Sequence, residues 1–452
     1  MDALLILFIF GLISLFLGIA KKQQLALITN VSGLTLAFLS LAYHGTYESP
    51  LKSYENALQF TGQELLLGML CILFTGFILL FNHSKDVAQD QHYADLSSLK
   101  MFSLTGALCL IGFKDFFMFF IGLEILSIPV YVLVGSRKGV LVSAEASLKY
   151  FFMGAFSTAI LLFGIALVFG ATGSFDMETI GSVIQQNAFN GEVLLIPGVL
   201  LILASLLFKL GAFPFHFWTA DVYQGSSFPV LAYMSTTVKI AAFIAAVKLI
   251  GSTFSSLGTA WELSLSIFIA ISLFLGYISA LRQTSLKRIL AFSGISNTGI
   301  GLLSVLSGAE FGERNLILFL LSYGASSLIL MVILQTTNSE DDEISGLKGL
   351  GYKNPLLGVS ALVALLSLAG IPPFTGFFGK MLLIQDILLV HPMMAILAIL
   401  SSAIGAFLYI RLILLLFNQE MDGVKINISP LSTTVLCTSI LCLIGGWLIL
   451  YI

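Results

Sequence analysis

Runs of about 20 apolar residues recur along the whole chain, beginning with "ALLILFIFGLISLFLGIA" near the N-terminus. A helix of that length crosses the roughly 30 Å hydrocarbon core of a bilayer. In lipid, only helices and closed barrels satisfy every backbone hydrogen bond, and runs this long exclude a barrel. Only 10% of the residues are charged, whereas soluble domains carry about 25%. The sequence therefore predicts an all-α polytopic membrane protein. The first run lacks a basic leader and a cleavage site, so it is predicted to be a retained helix.

Hydropathy divides the chain into fourteen predicted spans joined by short connections. The spans are 3–20, 25–43, 62–81, 98–113, 115–134, 146–170, 192–215, 228–250, 262–281, 287–307, 314–335, 356–389, 393–417 and 431–451. No connection is long enough to hold a soluble nucleotide-binding domain, and "GLKGLG" in a loop does not match the dinucleotide fingerprint.

The basic residues of the connections predict the orientation. If the N-terminus is outside, twelve of them fall on the inner side and three on the outer side. The inner set is Lys21, Lys22, Lys85, Lys100, Arg137, Lys138, Arg282, Lys287, Arg288, Lys348, Lys353 and Lys425, and the outer set is Lys52, Lys114 and Arg314. Inner loops of membrane proteins are enriched in lysine and arginine. Both termini are therefore expected on the outer side, and the 336–355 loop on the inner side.

Two pairs of similar segments indicate an internal repeat. "KYFFMGAFSTAILLF" at 149–163 resembles "FLLSYGASSLILMVI" at 319–333, and "GAFPF" at 211–215 resembles "GIPPF" at 370–374. An offset of five helices would place the second copy upside down, as in transporters whose broken helices flank the transport site. We predict four parts: a three-helix segment 1–97, two inverted five-helix repeats 98–251 and 252–418, each with a broken helix, and a C-terminal helix 419–452.

Ionisable residues inside the spans are the main functional signal. A charge near the bilayer centre costs about 2.5–3.5 kcal/mol on insertion scales, so it must face another polar group or water. Those predicted to lie in spans are Glu124, Lys149, Lys209, Lys239, Lys248, Lys380, Asp386 and Arg411. Lys248 and Arg411 are close enough to helix ends to snorkel to the interface, and Lys149 near a helix start can be interfacial. Glu124, Lys209, Lys239 and Lys380 are deeper, and Asp386 has no assigned role.

The stretch "FKLGAFPFHFWTADVYQG" at 208–225 predicts a broken helix beside Lys209. Pro214 removes an amide donor and leaves carbonyl groups that water can bind. Burial disfavours a lysine ammonium, whereas a nearby carboxylate favours it, so a lysine with a movable carboxylate partner can exchange a proton. His216 is either a hydrogen-bonded residue of the break or a proton relay. Asp221 is expected to be a cap or a structural partner.

No cofactor or metal site is predicted. Cys71, Cys109, Cys437 and Cys442 lie in apolar runs without a C-x-x-C pair, and their simplest interpretation is small core residues.

Three segments resemble a known family, the antiporter-like membrane subunits of respiratory complex I (bacterial NADH-quinone oxidoreductase). They are "FKLGAFPFHFWTADVYQGSSFPVLAYMSTTVKIAAF", "QTSLKRILAFSGISNTG" and "LSLAGIPPFTGFFGK". The resemblance implies that Glu124 in "GLEILSIPVY" is the carboxylate paired with Lys209, and that Lys149 in "EASLKYF" is a modulating lysine.

The same resemblance implies roles in the second part of the chain. Lys239 in "STTVKIAAF" matches a central-axis lysine, Lys380 in "GFFGK" matches a terminal lysine, and His216 matches the histidine after the first break. Asn297 in "GISNTG" departs from the many relatives that carry histidine or glutamine there, and it cannot titrate.

The implied function is proton translocation by a subunit without a redox centre, beside other membrane-arm subunits in the bacterial inner membrane. Two alternatives remain: a subunit of a multisubunit cation/proton antiporter on the same fold, and an inactive assembly scaffold. The full set of Glu124, Lys209, Lys239 and Lys380 argues against a scaffold.

Overall fold

The computed structural model describes residues 2–46, 57–60, 62–86, 92–186, 192–257, 259–337, 343–418 and 427–451. Over these residues the chain is almost entirely helical. Thirteen helices in this part are long and apolar enough to cross a membrane, and Pro355–Ala369 is a shorter apolar helix. The predicted all-α polytopic membrane fold is confirmed.

The helices fall into two compact units, Met1–Leu210 with Thr237–Leu265, and Gly211–Thr236 with Ser266–Ile452. Up to residue 210 they are α1 (Asp2–Ile19), α2 (Gln23–Thr46), α3 (Gly62–Asp86), α4 (Tyr93–Gly112), α5 (Phe116–Val134), α6 (Leu141–Thr172), α7 (Met177–Gln185) and α8 (Glu192–Leu210). The following helices are α9 (Phe217–Gly225), α10 (Phe228–Tyr233), α11 (Lys239–Ala246), α12 (Thr259–Leu281), α13 (Leu286–Leu306), α14 (Ala309–Thr337), α15 (Leu350–Lys353), α16 (Pro355–Ala369), α17 (Thr375–Val390), α18 (Pro392–Leu416) and α19 (Pro430–Gly445).

One continuous helical segment, Phe228–Thr253, contains two π-helical stretches. Met234–Val238 separates α10 from α11, and Val247–Thr253 follows α11. The segment is buried from Pro229 to Val247, whereas Ser252 near its end is exposed. Its apolar residues cover every face, as expected of a helix that contacts protein on all sides.

Close glycine contacts set the helix packing in the first unit. A Cβ on Gly164 of α6 would lie 2.9 Å from the Gly198 carbonyl oxygen of α8, and a Cβ on Gly198 would lie 3.0 Å from the Gly164 oxygen. A Cβ on Gly122 of α5 would likewise lie 2.9 Å from the Leu110 nitrogen of α4. Small residues let membrane helices approach this closely. These contacts hold α4, α5, α6 and α8 together around the polar residues described below.

Both predicted helix breaks are present and resemble each other. α8 ends at Leu210, Gly211 follows with φ +70°, and the Phe213–Pro214 bond is cis. α16 ends at Ala369, Gly370 follows with φ +76°, and the Pro372–Pro373 bond is cis. In each, the left-handed glycine ends the helix, a conformation that costs a residue with a Cβ. The predicted span 356–389 is therefore two helices, α16 and α17.

A second pair of equivalent contacts supports the repeat. Asp115, which caps α5, forms an isolated backbone β-bridge with Asp176. Ser285, which caps α13, forms the same kind of bridge with Glu343. These positions are separated by about the same offset as the sequence matches. The prediction of two five-helix repeats, each with a broken helix, is confirmed as the fold, whereas the boundaries at 97, 251 and 418 stay predictions.

The structure corrects the list of loop cations. Lys100 lies on α4 and Lys287 on α13, and each is only 1% exposed. Lys287 donates to the Ser226 carbonyl oxygen at 3.1 Å and lies 4.4 Å from the Phe228 ring. Neither is a solvated loop residue. Lys52, Lys425 and 339–342 of the acidic "SEDDE" stretch lie outside the described residues.

Candidate functional site

Glu124 and Ser127 place two polar groups one turn apart on α5. Side chains at positions i and i+3 of a helix are neighbours on one face. Ser127 is fully buried and Glu124 is half-buried. The Ser127 hydroxyl donates to the Leu123 carbonyl oxygen within its own helix. Its oxygen therefore remains available as an acceptor.

Lys209 uses that acceptor. It lies in the last turn of α8 and is 4% exposed. Its Nζ donates to Ser127 Oγ at 2.5 Å. Nζ also lies 5.8 Å from the ring centroid of Tyr131 and 6.0 Å from that of Tyr150, which is close enough for cation–π attraction.

Glu124 has a different partner. Its Oε1 accepts a hydrogen bond of 2.7 Å from Thr158 Oγ1 on α6. In the described part of the chain no ion pair within 4.0 Å joins Glu124 to Lys209, although the two interact electrostatically. The structure thus holds the two predicted partners apart, each on a hydroxyl group.

Lys149 lies on an exposed face of α6. Its Nζ forms an ion pair of 2.7 Å with Glu145 one turn earlier, and the two side chains are 43% and 65% exposed. The helix begins at Leu141, so Lys149 lies in its third turn and not at its start.

Lys239 is the first residue of α11, immediately after a π-helical stretch, and is 6% exposed. α11 packs on α8, the helix that carries Lys209. Two residues earlier, the Thr237 hydroxyl lies 3.2 Å from the Thr75 hydroxyl of α3. Lys239 therefore lies in the interior of the unit, close in sequence to the contact between Thr237 and Thr75.

His216 belongs to the second unit and occupies the first helix break. It is 8% exposed and precedes α9, and its carbonyl oxygen accepts from the Thr219 hydroxyl at 2.6 Å. Its ring stacks on Phe213 and Phe217. Nδ1 is buried without a hydrogen-bond partner among the described residues.

Lys380, also in the second unit, lies on α17 and is 6% exposed. Its Nζ donates to the Leu368 carbonyl oxygen at 2.5 Å, one of the carbonyl groups released where α16 ends. A Cβ on Gly370 would lie 3.3 Å from Lys380 Cδ. The break therefore supplies both the acceptor and the space for this lysine.

Four other residues singled out in the sequence have polar partners in the second unit. Asp221 forms an ion pair of 3.1 Å with Arg288, which confirms a structural partner. Asp386 accepts a hydrogen bond of 2.6 Å from Asn315 Nδ2. The exposed Arg411 donates a hydrogen bond of 2.9 Å to the Leu281 carbonyl oxygen. Asn297 donates to Tyr409 Oη at 3.2 Å.

The snorkelling interpretation of Lys248 is wrong. Its Nζ forms a 2.6 Å ion pair with Glu64, and the side chains are only 15% and 10% exposed. Sequence reasoning did not select Glu64. Hydropathy carried no signal for this contact, because a helix that is apolar on every face can be surrounded by lipid or by protein.

The cysteines give a mixed result. Cys71 and Cys109 are buried as expected, whereas Cys437 is exposed on the isolated chain.

Comparison with known proteins identifies similar sequences over almost the whole chain. Residues 114–405 match the family described as "NADH:quinone oxidoreductase/Mrp antiporter, TM". NADH-quinone oxidoreductase subunit N of Cytophaga hutchinsonii is 34% identical over 427 residues, which cover 93% of this chain and 91% of that protein.

Solved structures are similar over the same length. A chain of respiratory complex I from Thermus thermophilus with bound aureothin superposes with a TM-score of 0.83 and 29% identity, covering 99% of this chain and 97% of that one. A chain of the Mrp complex from Dietzia sp. gives 0.83 at 19% identity, covering 99% and 95%. The second likeness concerns the fold alone.

Proposed function

The chain belongs to the family of NADH:quinone oxidoreductase and Mrp antiporter membrane subunits, and we propose that it acts as the subunit N type of proton-translocating subunit. Its neighbours are then the other membrane-arm subunits of the NADH-quinone oxidoreductase. The sequence relatives at 34% identity carry the subunit N name, whereas the likeness to the Mrp complex extends only to the fold. No separate observation therefore favours the alternative function, that of a cation/proton antiporter subunit.

The separation of Glu124 from Lys209 is the observation that carries this proposal. A buried structural ion pair would keep its partners in contact, because breaking such a pair is strongly destabilising. Here each group has its own hydroxyl partner, on α5 for the lysine and on α6 for the carboxylate. Two stable arrangements, one paired and one separated, are what a switch requires.

The switch acts on the proton at Lys209 Nζ. When the Glu124 carboxylate turns from Thr158 towards the amine, its charge stabilises the ammonium. When the carboxylate returns to Thr158, burial favours loss of that proton, and Ser127 Oγ can accept a hydrogen bond from either form of the amine. The tyrosine rings stabilise the ammonium in the meantime without accepting its proton.

Lys239 and Lys380 provide further interior sites, and His216 with its open Nδ1 provides a site for water at the first break. We propose that protons move between these groups through ordered water. In the same proposal Lys149 is a lysine that modulates this route.

This chain contributes no redox centre in the proposal. Electron transfer occurs in other subunits of the complex, and its free energy reaches this chain through its neighbours. The location is a bacterial inner membrane, with both termini on the outer side.

Replacing Lys209 tests the function. In a Lys209→Ala variant we expect NADH–quinone activity and proton translocation to fall together, by about tenfold or more, because a positioned proton-transfer group typically contributes at least that much. Both rates are measured in membranes in which the complex is assembled. A complex with normal turnover and normal pumping would show that Lys209 carries no proton.

Two further variants sharpen the test. Lys209→Arg should restore little, because a guanidinium keeps its proton. Lys138→Ala, at an exposed lysine in the connection between α5 and α6, is the matched control and should leave both rates unchanged.

A further inference from the structure

A cleft of about 480 Å³ opens at one end of the first unit. The start of α3, the residues after α4, the helix α7 and the end of the Phe228–Thr253 segment line it. In the predicted topology this is the outer end. The cleft therefore brings water towards the same helical segment that carries Lys239.

Two ion pairs line the cleft at different depths. At the rim, Lys114 pairs with Glu178 at 3.3 Å, with side chains 28% and 80% exposed. At the inner wall, Lys248 pairs with Glu64 at 2.6 Å, with side chains 15% and 10% exposed. The inner pair is the less exposed of the two and forms part of the wall between the cleft and the interior.

The lysine of the inner pair makes three hydrogen bonds. Lys248 Nζ donates to Glu64 Oε1 and also to the carbonyl oxygens of Ile111 at 3.1 Å and Phe113 at 2.8 Å. These three bonds use all three N–H groups of an ammonium, and a neutral amine has only two to donate. The carbonyl groups belong to the end of α4, which is the negative end of its dipole. Lys248 therefore ties Glu64 of α3 and the end of α4 to its own helical segment.

The two helices that carry this pair also meet deeper in the unit. Thr75 of α3 contacts Thr237, two residues before Lys239, whereas Glu64 of α3 contacts Lys248, nine residues after it. The two levels are 11 residues apart on each helix, which at 1.5 Å per residue is about 16 Å. The line of contact between α3 and the Phe228–Thr253 segment, here called the seam, thus leads from the surroundings of Lys239 to the cleft.

We propose that the Glu64–Lys248 pair seals the seam and prevents protons from leaking between the interior and the cleft. The contacts of Lys248 with Glu64 and with the carbonyl oxygens of Ile111 and Phe113 fasten α3, α4 and the Phe228–Thr253 segment to each other, which keeps water from entering the seam. The inference rests on the proposed function, since a seal is needed only where the interior carries protons.

The test measures leak and coupling in the whole complex reconstituted into vesicles. In Glu64→Gln and in Lys248→Met, passive proton permeability under an imposed potassium diffusion potential, without NADH, should rise several-fold. During turnover, NADH oxidation should persist while the number of protons pumped per NADH falls. Lys114→Met and Glu178→Gln at the rim are matched controls and should match the wild type in both measurements.

Two more variants keep the test decisive if a single substitution strands a buried charge and blocks assembly. The double variant Glu64→Gln/Lys248→Met strands no charge and should leak, whereas Lys248→Arg keeps a cation with enough donors and should leak less. An assembled double variant with wild-type permeability and coupling would overturn the seal. A parallel loss of oxidation and pumping without leak would also overturn it, because that result marks a relay. Failure of the proposed function is seen separately, as normal pumping in Lys209→Ala.

Discussion

At the scale of single residues, hydroxyl groups decide which charges meet. Ser127 and Thr158 are the partners of Lys209 and Glu124 and hold those groups on two different neighbours. Neither hydroxyl stands out in an apolar sequence, where serine and threonine commonly bond to their own helix. Their effect is to make the separated arrangement a stable one.

Thr158→Val should weaken that arrangement. Without the hydroxyl, Glu124 loses its partner on α6, the ion pair with Lys209 gains relative stability, and the lysine retains its proton. We expect NADH–quinone activity and pumping to fall by about tenfold or more, since a hydrogen bond to a charged group is worth about 1.5–3 kcal/mol. The control is Thr172→Val on the same helix, where the hydroxyl donates only to backbone carbonyl oxygens, those of Val168 and Ser174. Unchanged rates in Thr158→Val would show that Thr158 does not hold the carboxylate.

At the scale of elements, the broken helices depend on left-handed glycines. Gly211 and Gly370 end α8 and α16 in the same conformation, and each break lies within one to three turns of a buried lysine. The break at Gly370 also gives Lys380 its acceptor, because the Leu368 carbonyl oxygen lies in the last turn of α16. Helix termination and placement of the lysine are therefore one structural feature.

Gly370→Ala should destabilise this element. A residue with a Cβ costs about 1–2 kcal/mol in the left-handed region, and the new methyl group would press on Lys380. We expect a lower thermal midpoint for the assembled complex, measured by dissociation of this subunit on heating. Gly445→Ala is the control, because that helical glycine has nothing within 4 Å of an added Cβ. Equal midpoints for the two variants would contradict the role of the left-handed glycine.

At the scale of the whole molecule, burial changes the evidence for orientation. Lys100 and Lys287 leave the inner set of loop cations, which falls from twelve to ten, against three on the outer side. The bias keeps its sign, since both residues belonged to the larger set. The proposed topology, with both termini outside, therefore still follows from the positive-inside rule.

Cysteine labelling tests the topology. Ser345→Cys, in the connection after α14, should react with a membrane-impermeant thiol reagent only after the cells are opened. Ser182→Cys on α7 should react in intact cells, and both serines are exposed. Labelling is measured above the background of the native cysteines in assembled complexes. The reverse pattern would invert the orientation.

The sequence by itself determined the membrane class, the helical spans, both helix breaks and the interior position of Lys209, Lys239 and Lys380. These features are local, since an apolar run of sufficient length, or a glycine followed by proline, acts on the backbone wherever it occurs. Only the tertiary structure decided which charges meet. Hydropathy gives the depth of Lys248 but not the face that Glu64 occupies 184 residues earlier in the chain, and it counts Lys100 as a loop cation although packing buries it. The separation of Glu124 from Lys209 was equally beyond the sequence, because it depends on the hydroxyl groups that neighbouring helices bring to each side chain.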